Sequence, residues 1–295
     1  MQHMYITATA DLDKCHSSTM HLVLPHLYKD PYYLETYKAW GKQGEFLMQD
    51  NGIFELKTVV PGSLMEFADQ IGAHEVMVPE VLRNAEACLK VTEEFLSSNP
   101  KPRGMRFAAC LQGKTWQEIA YHYQTLWKEF PQIDTICIPY GLEFDCFNVE
   151  DEEKLHSGWN RFSNIARLVK EGKWNPSITH HLLGLHNPAE LTMYWRFREA
   201  IPKNVYASIR SNDSSICYKY GLHGAPFMHN SGFLHRKIKG ALDHSARYTH
   251  PLQWETFQRN RDILEWLMQG SGGDRIAELY IMFNKECREF SLREM

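Results

Sequence analysis

An alternation sustained along most of the chain constrains it more than any single motif. Short apolar or β-branched runs occur at Met4–Ala8, Glu45–Met48, Glu75–Val78, Arg106–Leu111, Thr135–Ile138, His181–Leu185 and Val205–Ile209. Between most of them lie segments with helical spacing: Gly62–Ile71, Val81–Leu96, Trp116–Phe130, Glu152–Lys170 and Pro188–Ala200. Strands separated in this way by helices pair in parallel through right-handed crossovers. An eighth apolar run, Leu279–Phe283, reads as a strand or as part of a terminal helix. At 295 residues, this number of units favours an α/β fold of the closed (β/α)8 TIM-barrel type over an open doubly wound sheet. The expectation is one catalytic barrel domain over residues 1–295, with residues 228–270 forming a helical C-terminal elaboration.

Composition narrows the setting. Hydrophobic residues make up 43% of the chain, enough for a sizeable core. No apolar run approaches the ~20 residues of a membrane span, and Met1–Lys14 lacks the basic-then-apolar pattern of a signal peptide. The seven cysteines are odd in number and scattered, with no Cys-x-x-Cys pair. They indicate neither a disulfide scaffold nor a compact zinc knuckle, and a reduced, cytoplasmic compartment is expected. The net charge of −4 excludes nucleic-acid binding by bulk charge but not by a local patch. The stretch Arg236–Arg261 is such a patch: Arg236, Lys237, Lys239, Arg247, Arg259 and Arg261 face few acids, with Tyr248 and Trp254 interleaved. It reads equally as a solvated helical face.

In a barrel, chemistry sits where the strands end at their C-terminal side. Those ends carry Asp11 and Asp13, Asp50-Asn51-Gly52, Glu80, Gln112-Gly113, Tyr140-Gly141-Leu142, Gly184 to His186, and Asn212-Asp213-Ser214. Two or more carboxylates around one pocket suit displacement at a sugar anomeric carbon, one attacking and another handling protons. Carboxylates with a glutamine also match the donor and acceptor edge of a purine. The structural alternative is that Asp50 and Asp213 cap helices.

These residues carry a family resemblance. Asp50-Asn51-Gly52-Ile53-Phe54-Glu55 resembles the Asp-Ser-Gly-Gly-Phe/Tyr-Gln segment of the tRNA-guanine transglycosylases, which insert queuosine and archaeosine bases. Val76-Met77-Val78-Pro79-Glu80 resembles the strand ending in a base-reading Asp, and Leu111-Gln112-Gly113 the Val-Gln-Gly segment. Tyr140-Gly141-Leu142 resembles Gly-Gly-Leu, and Leu182-Leu183-Gly184-Leu185 with Asn187-Pro188 resembles Leu-Met-Gly-Val-Gly followed by proline. Ser208 to Ser215 falls where the family's nucleophilic Asp ends a strand. The matches run collinearly from about residue 40 to 225, and their order is more specific than any one of them.

The resemblance implies Asp213 as the nucleophile on C1′ and Asp50 as the general acid/base. It implies Phe54 as the stacking ring, Glu80, Gln112, Gly141 and Leu142 as readers of the base edge, and Gly184 as a pocket wall. No cofactor and no metal is implied. Glu80 stands for the family's Asp, Ile53 for a Gly and Glu55 for a Gln. The tRNA enzymes also carry a Cys-x-Cys-x-x-Cys…His zinc site after the nucleophile, whereas only Cys217 and Cys287 follow Asp213 here. The chain is therefore more similar to the zinc-free DNA 7-deazaguanine transglycosylases of phage and bacterial modification systems. These exchange guanine in DNA for a base such as preQ0. That implies a flipped or single-stranded substrate. Arg236, Lys237, Lys239 and Arg247 would face the DNA, with Arg210 and Lys219 beside the flipped nucleotide. Each of these also reads as an ordinary surface charge.

Other readings are weaker. A metal hydrolase would need His-x-His after the first strand or a helical His-Glu-x-x-His, and neither occurs; His180 and His181 would point to opposite faces of a strand. A glycoside hydrolase shares the carboxylate logic but lacks an evident stack of Trp, the eight being dispersed. A tRNA-guanine transglycosylase and a non-catalytic nucleic-acid-binding paralogue remain as alternatives. No Walker or Rossmann phosphate loop is present.

Overall fold

The computed structural model describes residues 1–14, 16, 18–56, 61–140, 155–185, 187–188, 190–191, 193–194, 203–227 and 251–268. Eight parallel strands form one sheet: β1 Gln2–Tyr5, β2 Met20–Val23, β3 Phe46–Gln49, β4 Glu75–Met77, β5 Arg106–Cys110, β6 Ile133–Pro139, β7 Thr179–Leu183 and β8 Ile209–Ser214. The order β1-β8-β7-β6-β5-β4-β3-β2 curls into a nearly closed (β/α)8 barrel. Its seam lies between β1 and β2, where the Ser18 hydroxyl donates to the His3 carbonyl at 2.9 Å.

Helices among the described residues include α1 Pro31–Lys42, α2 Ile53–Leu56, α3 Pro61–Ile71, α4 Ala85–Ser98, α5 Trp116–Glu129, α6 Leu155–Lys170, α7 Lys203–Ser208, α8 Ile216–Leu222 and α9 Trp254–Met268. Their starts follow from short polar side chains. Asp30 accepts from Tyr32 N–H, Asn84 from Ala87 N–H and Thr115 from Glu118 N–H, at 2.9, 3.0 and 3.2 Å. Each satisfies an amide that the first helical turn leaves unpaired.

The expected strands reappear within a few residues, with two corrections. Val205–Ile209 is not a strand: its first residues belong to α7, and β8 runs from Ile209 to Ser214. The barrel also has a strand not expected from the sequence, β2, followed by α1. Four residues, one of them His21, give too short a run to register as alternation. Leu279–Phe283 lies outside the described residues. So does most of 228–270; only 251–268 of that elaboration is described, and it is largely α9.

Two features of the barrel interior bear on the site. On the floor, at the N-terminal end of the strands, buried Glu75 accepts from Arg106 Nε at 3.2 Å and Arg210 Nη2 at 2.5 Å. The Thr135 hydroxyl donates to the same carboxylate, and Arg106 continues to Thr179 at 2.8 Å. Near the mouth, Arg161 of α6 is wholly buried and holds Glu190 bidentately at 2.7 and 2.8 Å. Its third nitrogen donates to the carbonyls of Ile138 and Leu183, at the ends of β6 and β7, at 3.0 and 2.8 Å. Gly158 makes this approach possible, because a Cβ there would lie 3.0 Å from Glu190 Oε2. Arg161→Ala would strand the Glu190 carboxylate without a counter-charge, and is expected to cost about 3–5 kcal/mol in urea unfolding.

Candidate functional site

The mouth assembles from strand ends. Backbone pairing continues past β3, where Asp50 N–H donates to Val23 O, and past β7, where Leu185 N–H donates to Asp213 O. This extended pairing places the next side chains, Asp50, Gly184 and Asp213, at one rim.

Asp213 is buried, and its Oδ1 accepts from Gly184 N–H at 2.8 Å and contacts His181 Nε2 at 2.9 Å. His181 is itself held through Nδ1 by the Ser211 hydroxyl at 2.9 Å. With one oxygen engaged by a backbone amide and an imidazole, Asp213 is oriented as an acceptor. It caps no helix: the side chain following it, Ser214, accepts from Ile216 N–H at 3.0 Å and donates to Leu185 O at 2.6 Å. Gly184 has φ +70°, and a Cβ there would meet the Tyr140 ring at 2.9 Å. A side chain at 184 would therefore be strained twice, at the amide that anchors Asp213.

Asp50 is half-buried in the opposite electrostatic setting. Burial, then the negative charges of Glu55, Glu80 and Asp213, push its pKa up to about 8, against the pull of the Gly52 N–H it accepts at 3.0 Å. At neutral pH it carries a proton that it can donate. The Gly52 contact forms a turn just before α2, and it is Asn51, not Asp50, whose side chain accepts from that helix's first N–H, at 3.0 Å.

Glu80 and Gln112 meet on the neighbouring strand ends. Glu80 accepts from Asn51 Nδ2 at 3.1 Å and Gln112 Nε2 at 2.5 Å. Burial raises the Glu80 pKa, opposed by these amides and the Cys110 thiol. Gln112 is fixed at its other end, its Oε1 accepting from Arg83 N–H at 2.8 Å. Burial lowers His122 to about 4, so its neutral Nδ1 accepts the Gln112 N–H at 2.9 Å. The Glu80 and Gln112 side chains are thus held by each other, by Asn51 and by the Arg83 amide.

The structure brings Asp50, Glu80, Gln112, Gly184 and Asp213 to one end of the barrel. It does not bring Arg210 there. β8 has one more residue than β7 between the pairs His180↔Ile209 and His181↔Ser211, so Arg210 is the extra residue. It bonds Glu75 on the floor and lies 4.8 Å from the Phe46 ring, at the barrel end opposite the mouth. Lys219 sits half-buried on α8. Phe54 lies within α2, but its side chain is outside the described residues, as are Gly141, Leu142, Arg236, Lys237, Lys239 and Arg247. Asp11, unassigned from sequence, accepts from Tyr218 at 2.6 Å and from Lys14 at 2.9 Å, a tie between the loop after β1 and α8.

Two mouth residues have no role in the sequence reading, although Asn51 stands there beside Asp50. Asn51 bridges Glu80 and Val78 O, and His181 holds Asp213. The signal for His181 was strand alternation. Of two adjacent histidines one must face inward, and His180 does turn outward, stacking at 3.8 Å on Trp174.

Fold and mouth together define an α/β barrel with three carboxylates gathered at the C-terminal ends of its strands. No protein-family model matches the chain, and no curated protein matches it in sequence. Among solved structures, it is similar to active domain 2 of a chitinase from Pyrococcus furiosus, determined as catalytic-site mutants. The likeness spans 90% of this chain and 95% of that one at 11% identity, with a TM-score of 0.45, and carries no argument about the site.

Asp50 has a stability consequence. The folded carboxyl holds its proton up to about pH 8, while the unfolded one loses it near its ordinary 3.8. The folded state then binds more protons than the unfolded one across that window. The contribution is therefore full below pH 4 and lost as pH rises to 8. Asp50→Asn, permanently neutral, is expected to exceed wild type in stability at pH 8 by roughly 1–3 kcal/mol. The gap should close by pH 4 in denaturant titrations. Gly184→Ala is expected to lose about 1–2 kcal/mol through its positive φ alone, read as a lowered denaturation midpoint.

Proposed function

We propose that this chain is a guanine transglycosylase acting on DNA, exchanging guanine for a 7-deazaguanine base such as preQ0. The observation that carries the reading is the split between two carboxylates at one mouth. Asp213 is aligned by an amide and an imidazole, and Asp50 is kept protonated by burial and neighbouring negative charge. A nucleophile and an acid of this kind are what displacement at an anomeric carbon needs.

In the first step an Asp213 oxygen attacks C1′ and the C1′–N9 bond to guanine breaks. Asp50 gives its proton to the departing purine. In the second step the incoming base loses its N9 proton to the Asp50 carboxylate, and that nitrogen attacks C1′. The bond to Asp213 breaks, so the two inversions give net retention. Glu80 and Gln112 accept and donate along the purine edge, and their mutual bond holds both groups in place before the base arrives.

DNA is favoured over tRNA by the sequence after Asp213, which lacks the cysteines of the tRNA enzymes' zinc site. The basic stretch Arg236–Arg261 supplies phosphate contacts in this reading. Because C1′ of a stacked nucleotide is closed to the pocket, the target base is flipped or single-stranded.

The test is a base-exchange assay with labelled guanine in DNA and in tRNA, run side by side with preQ0. Release from DNA is expected, with Asp213→Asn reducing it at least about a thousandfold. Release from tRNA alone would reassign the substrate. No release from either polymer, with no covalent adduct trapped on Asp213, would overturn the transglycosylase reading.

A further inference from the structure

At the opposite end of the barrel, a second cluster of ligand-type side chains lies outside the site described above. His16 precedes β2, His21 lies on it, and Glu45 immediately precedes β3. One donor atom from each falls within 4.8 Å of the others. His16 Nε2 lies 2.8 Å from Glu45 Oε1 and 2.9 Å from Oε2, and His21 Nε2 contacts Oε2. Both imidazole Nε2 atoms therefore converge on one carboxylate.

The convergence is held by packing. Both imidazoles lie nearly parallel to the Trp40 ring, with centroids 4.4 and 4.5 Å away and interplanar angles of 20° and 26°. Tyr37 meets His21 edge-on at 5.9 Å. An aromatic floor that fixes ring orientation restricts the imidazoles much as a second coordination shell does. His21 is buried and Glu45 nearly so, while the His16 side chain is 35% exposed, which gives a cation access from solvent. His16 also borders an open cavity of about 510 Å³, lined among others by His3, Tyr5, Ser18 and Glu265. His3 is buried there with its Nε2 unpartnered among the described residues.

We infer that His16, His21 and Glu45 form a binding site for a divalent first-row transition cation of the zinc type. Two imidazoles and one carboxylate are a nitrogen-rich set that suits zinc, cobalt or iron and disfavours magnesium and calcium, which take oxygen ligands. Three protein ligands leave a coordination position open, with the cavity beside it. The ion would tie the segment before β2 to β2 and to the start of β3, beside the seam that Ser18 closes onto His3. Its role is thus to fasten the junction between β1 and β2, which has no strand ladder among the described residues, apart from the chemistry at the mouth. The inference does not depend on the transglycosylase reading.

The test uses the full chain stripped with a chelator and titrated with Co2+, then with Zn2+. One equivalent of Co2+ is expected to give a visible d–d spectrum without the thiolate charge-transfer band that cysteine ligation would add. Zn2+ is expected to raise the thermal midpoint of the wild type. His16→Ala, at the exposed position, and Glu45→Gln, close in shape, should each weaken cobalt binding at least about tenfold and abolish the zinc-dependent rise. Absence of a cobalt spectrum in the wild type would overturn the site. So would a spectrum unchanged in both variants, or one dominated by thiolate ligation.

Discussion

The position of one extra residue in β8 governs how polar side chains are sorted inside the barrel. Strand side chains alternate faces, so a slip of one residue would exchange every inward group for an outward one. Arg210 is the residue left without a ladder partner against β7, and from there both it and Ser211 reach interior partners. The arginine neutralises Glu75 on the floor, and the ladder resumes in a phase that carries Asp213 to the mouth beside His181. Bulges of this kind re-aim side chains next to functional sites. A second one, between Phe107 and Ala108, leaves Asp134 facing β5, where its carboxylate accepts the Phe107 N–H at 2.8 Å.

The mouth and the floor use the same residue types to opposite ends. On the floor, Glu75 shares its two oxygens between two arginines and a threonine, so charge is cancelled where it is buried. At the mouth, no cation lies against Asp50 among the described residues, and acidic neighbours raise its pKa instead. The result is a carboxyl that stays protonated, next to one that is anchored by donors. Such a division between two like groups arises from surroundings alone, since aspartate is chemically the same at both positions.

The supporting frame explains why the mouth keeps its shape. Arg161 carries charge into the core and spends its donors on Glu190 and on two strand-end carbonyls, fixing α6 over the ends of β6 and β7. Gly184, the residue that anchors Asp213, follows directly on β7. The buried ion pair thus bears on the site through the backbone rather than through contact with it. At the seam, by contrast, β1 and β2 are joined by a side-chain bond, and the paired imidazoles stacked on Trp40 lie on the β2 side of it.

The sequence by itself determined the fold class, because alternation of strand and helix periods leaves few architectures for a chain of this length. It also determined which strand ends bear carboxylates and amides: Asp50, Glu80, Gln112 and Asp213 all lie where the barrel converges. It could not place β2, four residues long, nor separate α7 from β8, because Val205 and Ile209 are equally at home in a buried helix or strand. Only the tertiary structure decided that Arg210 turns to the floor, that His181 rather than His180 faces Asp213, and that Asp50 holds its proton. Each of these depends on what a side chain meets across the barrel, from strands tens to more than a hundred residues away. Periodicity reports the face a residue occupies; burial and opposing charge, which set its chemistry, come from the fold.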